Sequence, residues 1–325
     1  MSEKKLPESL TGKTVLIAGA AGFVPSYVSE FYLKLGAKVI GLDNFITGSP
    51  ENIELLKKYD LFEFHECNIY ESLPDFSDVE IDYIFSLASP ASPIDFSQIP
   101  LEIMRVNSEG TMALLELARE KGARFLEAST SEVYGDPEIH PQREDYVGSV
   151  NPIGPRACYD ESKRYAEALT MSYYRKYDVD TRIIRIFNTY GPRMRPDDGR
   201  VIPNFINQAL KGEDLTVNGD GSQTRSFCYV TDLVIAIHHV MFLGDHTPYN
   251  VGNPDEYTIK DCGERIIEVL GSSSKLTYRE LPKDDPKRRR PNIDKINSLA
   301  GFKPLMSFEE GMKLTAKFFE SKFND

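Results

Sequence analysis

A short apolar run, Val15-Leu16-Ile17-Ala18, ends directly in Gly19-Ala20-Ala21-Gly22, and Phe23-Val24-Pro25 then leads into a helix-like stretch from Tyr27 to Leu35. No other feature constrains the fold as much. A strand that turns on glycine straight into a helix commits the chain to a βα crossover, because a residue without a Cβ lets the backbone bend this tightly. The rhythm persists through the first half, where strand-like runs at 14–18, 38–42, 61–66, 83–87, 124–128 and 181–186 alternate with helix-like segments. Such alternation predicts an α/β fold built on a doubly wound parallel sheet. Beyond Pro192 the rhythm breaks, and helices are predicted near 201–211, 260–270 and 308–319, enough for a smaller α/β C-terminal substrate-binding domain. The expected division is 1–180 for the first domain, with 226–250 returning to it, and 181–325 for an interleaved cap.

The glycine turn is where a dinucleotide pyrophosphate can rest on unpaired amides of the helix start, although an ordinary glycine-rich turn reads the same way. Asp43 closes the next apolar run, 24 residues beyond Gly19. A carboxylate there suits a ribose diol and repels a 2′-phosphate, which favours NAD over NADP. Further on, Tyr159 and Lys163 stand four residues apart and share a helix face, where an ammonium can hold a phenol close to its anionic form. A phenolate can take the proton of a sugar hydroxyl, with Thr130 hydrogen-bonding the same oxygen. Taken alone, the Tyr/Lys pair is a weak signal that reads first as a solvated pair on an ordinary helix.

Together these residues resemble the extended short-chain dehydrogenase/reductase family of nucleotide-sugar epimerases, dehydratases and decarboxylases, whose fold is Rossmann-like. Longer blocks are similar to its UDP-glucuronate decarboxylase branch: Leu87 to Pro93, Ala128 to Pro141, Asn151 to Lys163, and Ile186 to Arg193. The resemblance runs from about Thr14 to the last helix. It implies NAD as a cofactor regenerated at every turnover, and a substrate that is a UDP-sugar. Its cofactor set is Gly19, Ala21, Gly22, Phe23, Val24 and Asp43, then Asn44, Phe45, Thr47, Gly48, Asn68 and Ile69. Leu87, Ala88, Ser89, Asn107 and Ser129 complete that set with Tyr159 and Lys163. The substrate set is Pro90, Glu132, Asn188, Arg193, Arg200, Asn204, Thr216, Val217, Arg225 and Arg289. Asn188, Arg193 and Arg225 are expected at the diphosphate, and Leu215-Thr216-Val217 is expected to pair its backbone edge with uracil.

The chemistry so implied oxidises C4 of UDP-glucuronate, with Tyr159 as base, and places the C5 carboxylate β to a ketone. Carbon dioxide can then leave, its electrons delocalising into the C4 oxygen beside Thr130 and Tyr159. Return of a proton at C5 and reduction at C4 gives UDP-xylose. In the 4,6-dehydratases of the family an Asp-Glu pair occupies the positions of Ser131 and Glu132, so dehydration here lacks its acid while decarboxylation needs none. Glu132 is expected to position or relay a proton to C5. Arg289 matches the arginine placed near the sugar carboxylate, with Arg288 or Arg290 as substitutes within the run Lys287-Arg288-Arg289-Arg290. A UDP-glucuronate 4-epimerase, which must retain the carboxylate, is the alternative. Pro25, Asn68 and Ser86 depart from the family pattern, and a slightly weaker hold on NAD is expected from them.

A net charge of −12 argues against nucleic-acid and anionic-membrane partners. Cys67, Cys158, Cys228 and Cys262 lack paired or zinc-like spacing, so neither disulfide nor metal is expected. Residues 1–10 are polar and no apolar run spans a bilayer, from which a cytoplasmic location is expected. Helix-like stretches at 101–120 and 159–177 are apolar on more than one face. In the resembling family these pair across a two-fold axis, which implies a homodimer held by a four-helix bundle.

Overall fold

The structure, a computed structural model, describes residues 5–280 and 288–323. Its first six strands are β1 (Thr14–Ala18), β2 (Lys38–Asp43), β3 (Phe62–Glu66), β4 (Tyr83–Ser86), β5 (Arg124–Thr130) and β6 (Thr181–Ile186). Val15 to Ala18 and Val39 to Leu42 are wholly buried, as the central strands of a sheet covered on both faces must be. The helices are α1 (Phe23–Lys34), α2 (Pro50–Leu56), α3 (Pro93–Gln98), α4 (Pro100–Arg105), α5 (Thr111–Lys121), α6 (Ala157–Tyr177), α7 (Val201–Leu210), α8 (Val230–Leu243), α9 (Ile259–Leu270), α10 (Asp294–Ala300) and α11 (Phe308–Phe323). Ser49 and Ser92 accept the amides of Glu51 and Ile94, and Pro50 and Pro93 follow them, so α2 and α3 start at Ser-Pro steps that suit a helix entry.

Among the described residues the main sheet has seven parallel strands in the order Pro248–Val251, β6, β5, β4, β1, β2, β3. Winding reverses between β1 and β4. The crevice beyond the carboxyl ends of those two strands is where an open α/β sheet binds ligands. One core lies on the face covered by α1, α8 and α10, with Val28, Tyr32, Leu233, Ile237 and Ile296 in it. Another lies under α5 and α6, with Leu114, Leu115 and Tyr173. A third joins α7, α9 and α11 around Phe205, Ile266 and Phe319.

The sheet and its cores draw on both sides of residue 180. β6 follows residue 180 yet pairs in the main sheet between β5 and Pro248–Val251, the latter within the segment expected to return to the first domain save for its last residue. The returning segment extends one residue past 250, and α10 returns as well, because Ile296 and Phe302 join the core of α1 and α8. The helix expected over 101–120 is real but contains a π turn, Val106–Gly110, between α4 and α5. That turn presents Asn107, whose Nδ2 donates to Ile103 O at 3.0 Å, Ser89 Oγ at 3.0 Å and Ser162 Oγ at 3.1 Å. Among the described residues no helix is long and apolar enough to cross a membrane, and no group of His, Cys, Asp and Glu is arranged to hold a metal ion.

Candidate active site

A cavity of about 680 Å³ opens at the reversal point and runs from the β1 turn to the cap. At one end the backbone does most of the shaping. Gly19 has φ +86°, and a Cβ there would come within 2.8 Å of Ala88 Cα. Gly22 precedes α1, whose start has no side-chain cap and no acidic residue in its first turn, which leaves a field suited to an anion. Pro25 sits in that first turn, buried, where its missing N–H costs no helical hydrogen bond. Asp43 accepts the amides of Ala21 at 3.0 Å and Phe45 at 2.7 Å. Burial pushes its carboxyl up, and those amides oppose the shift.

In the middle stand Thr130, Tyr159 and Lys163. Tyr159 is buried and stacks on Phe96, centroids 5.0 Å apart and planes at 18°. Burial pushes its phenol up to about 12, and a hydrogen bond from Thr130 works in the opposite direction. The lysine expected to favour the phenolate has its Nζ donating to Ala128 O at 2.6 Å and lying 3.4 Å from Glu127 Oε1. Helical spacing put the two residues on one face but could not foresee a competing carbonyl at the end of β5. Thr130 also caps the short 3₁₀ turn Ser131–Tyr134 by accepting the Glu132 amide at 3.2 Å.

Across from this centre, Glu132 holds two guanidinium groups. Arg156 Nη2 donates to its Oε2 at 2.7 Å, and Arg289 donates to both carboxylate oxygens, at 2.8 Å through Nη2. Burial opposes charge here, yet Arg289 and Arg156 together bring the carboxyl down to about 2. Asp160, 3.9 Å from Arg156 Nε, is driven the other way, to about 7, by burial and by Glu132. Arg156 and Asp160 went unremarked in the sequence, although their i,i+4 spacing at the start of α6 was a visible signal.

The remaining expected residues divide clearly. Ala21, Phe23, Val24, Asn44, Thr47, Gly48, Asn68, Ile69, Leu87, Ala88, Ser89 and Ser129 line the cavity, as do Pro90, Ser131, Asn188, Asn204, Thr216 and Arg225. Ser129 nevertheless gives its hydroxyl to Glu167 at 2.6 Å. Three residues do not line it. Phe45 turns back onto Phe64, centroids 5.4 Å apart, and offers Asp43 only its amide. Asn107 stands behind Ser89. Val217 is fully buried in the cap core, and Thr216 N–H is taken by Gln208 Oε1 at 3.0 Å, so the backbone edge expected to read uracil is occupied by a side chain of the protein itself.

Both arginines expected at the diphosphate have internal partners, Arg225 donating to Thr224 O at 2.8 Å, and so do Arg195 and Arg200 nearby. Arg193 pairs with Glu30 and lies 4.1 Å over the Tyr27 ring, while its Nη1 is buried without a partner. Arg200 pairs with Asp198, and Arg195 pairs with Asp95 at 3.1 Å. Lys287 lies outside the described residues; Arg288 and Arg289 form a short strand beside Thr224–Ser226, and Arg289 is the member buried at the site.

Residues 15–252 match the NAD dependent epimerase/dehydratase family. The chain belongs to that family. Other members are closer in sequence: it is 47% identical over 307 residues to UDP-glucuronic acid decarboxylase 1 of Danio rerio, covering 94% of this chain and 72% of that one. It is 45% identical over 311 residues to UDP-glucuronic acid decarboxylase 3 of Arabidopsis thaliana, covering 95% and 90%. Among solved structures, UDP-glucuronic acid 4-epimerase from Bacillus cereus in complex with UDP-glucuronic acid and NAD superposes with a TM-score of 0.85 at 27% identity, covering 95% of this chain and 99% of that one. The family's NAD fits this cavity on three counts: the glycine turn at Gly19, the anion-suited start of α1, and the carboxylate of Asp43 in place of a cation that would greet a 2′-phosphate.

Proposed function

We propose that this protein decarboxylates UDP-glucuronate to UDP-xylose. The observation that carries the reading is the buried Arg289–Glu132–Arg156 cluster in the same cavity as Tyr159 and Thr130: two fixed cations face the cavity, and Asp160 beside Arg156 is driven toward its neutral form by burial and by Glu132, so the cluster suits the carboxylate of a sugar. The identity with UDP-glucuronic acid decarboxylases over nearly the whole chain supports it. NAD, which Gly19, Gly22 to Val24 and Asp43 would hold, would supply reversible oxidation of the sugar at C4. Tyr159 Oη takes the C4 hydroxyl proton, and Thr130 Oγ1 holds the same oxygen. Once C4 is a ketone, the C5 carboxylate is β to it, and carbon dioxide leaves as its electron pair enters the C4 oxygen, where Thr130 and Tyr159 stabilise the enolate. Ser131 supplies no acid for expelling a hydroxyl, which disfavours dehydration.

Asn188, Arg193, Arg200, Asn204 and Arg225 are assigned to the UDP moiety, with Arg193 and Arg200 exchanging Glu30 and Asp198 for phosphate oxygens. The cores support a division in which β6, α8, Pro248–Val251 and α10 belong with the cofactor-binding sheet, and α7, α9 and α11 with the cap. A homodimer is the assembly that fits: Leu101, Met104 and Met112 on α4–α5 and Tyr165 and Tyr177 on α6 are exposed on two adjacent helices, an apolar face that a second copy can cover as a four-helix bundle. Purified protein incubated with UDP-glucuronate and NAD is expected to release carbon dioxide and form UDP-xylose by NMR. A product that keeps its carboxylate, inverted at C4, would move the assignment to a 4-epimerase.

A further inference from the structure

Glu127 is a buried carboxylate with no part in the chemistry above. It lies on β5, wholly buried, and its Oε2 has no hydrogen-bond partner. Its Oε1 lies 3.4 Å from Lys163 Nζ; burial pushes its carboxyl up, and Lys163 and Ser86, its register partner on β4, oppose that shift by favouring the charged form. Glu167, the other acid that bears on it, is held by Arg185 in two bonds of 2.8 Å. Stability does not account for such a residue, because a carboxylate removed from water costs more than one long contact with an ammonium returns, and an apolar side chain of similar size packs there at less cost. The geometry at Lys163 does. An ammonium carries three N–H groups. One goes to Ala128 O at 2.6 Å and one faces Glu127, which leaves the third for the cavity that Lys163 lines.

We propose that Glu127 is a positioning residue for Lys163, fixing with the Ala128 carbonyl the direction in which the ammonium meets the cofactor. The inference deepens the decarboxylase reading and rests on it. The test uses the full chain with Glu127→Leu and Glu127→Gln. For Glu127→Leu the thermal midpoint is expected to stay level or rise, KM for UDP-glucuronate to change by less than about twofold, kcat to fall about tenfold, and NAD affinity by calorimetry to fall a few-fold. Glu127→Gln keeps an acceptor oxygen and is expected to recover most of both losses. A purely structural role would not separate kcat from KM, nor be rescued this way. Should the leucine variant fail to fold, Glu127→Ala reads the same loss. Parental kcat and NAD affinity in a folded leucine or alanine variant, or a glutamine variant as impaired as leucine, overturns the proposal. If the parent releases no carbon dioxide, the decarboxylase reading fails by itself, and the NAD affinities of the three proteins still decide the role of Glu127.

Discussion

The two ends of the cavity are built from different materials. At the β1 end, Gly19, the start of α1 and the amide-held carboxylate of Asp43 are fixed by the backbone. At the cap end the groups are long side chains already satisfied by one another: Arg193 with Glu30, Arg195 with Asp95, Arg200 with Asp198, Arg289 with Glu132, and Gln208 with the Thr216 amide. The first end is preorganised for one ligand. The second holds its charges in internal pairs, so a substrate must trade places with a carboxylate or a glutamine before it is fully held. Internal pairing also explains how cationic side chains stay desolvated in a chain of net charge −12.

The strongest challenge to this contrast lies between the two ends. Tyr159→Phe is expected to lower kcat about a thousandfold while leaving the thermal midpoint near the parent's, checked by turnover and calorimetry. Gly19→Ala tests the rigid end: with φ +86° and the Ala88 backbone 2.8 Å from the new Cβ, NAD affinity should weaken roughly 10- to 100-fold, with KM for the sugar nucleotide nearly unaffected once NAD is saturating. Arg289→Ala tests the paired end, where KM for UDP-glucuronate should rise about tenfold and NAD affinity should not move. Equal effects of both substitutions on both ligands would erase the distinction between the ends.

The smallest effect concerns pH. Asp160 rises from 3.8 to about 7 in the folded protein, so the native state holds a proton there that the unfolded chain has lost. Its contribution is complete below about pH 3.8 and disappears as pH climbs through about 7. Thermal midpoints should therefore decline across that window, and Asp160→Asn should flatten the decline. An unchanged slope in that variant would place the titration elsewhere.

The sheet was legible because its first six strands are short runs rich in apolar residues or, as in β3, alternating Phe with polar residues, a signal carried in neighbouring residues. The seventh, Pro248–Val251, was missed as a sheet strand: four residues beginning with proline carry little pattern, and only pairing with β6 makes them a strand. Of the residues that line the cavity, Gly19, Asp43, Thr130, Tyr159 and Lys163 were legible because a motif carries each of them. Side-chain direction was not legible. Val217 packs inward, Phe45 folds onto Phe64, and Lys163 turns to β5, because each choice depends on neighbours distant in sequence. Arg156 and Glu127 escaped notice for the same reason.

By itself the sequence determined the winding of the chain, the placement of the glycine turn and the identity of the groups available for chemistry, since local backbone geometry and side-chain type are properties of short segments. Tertiary structure alone decided which charges meet: Glu132 between Arg156 and Arg289, Glu127 behind Lys163, Arg193 against Glu30. Coulomb and desolvation energies depend on distance in space and on exclusion of water, and neither is written in the order of residues along the chain.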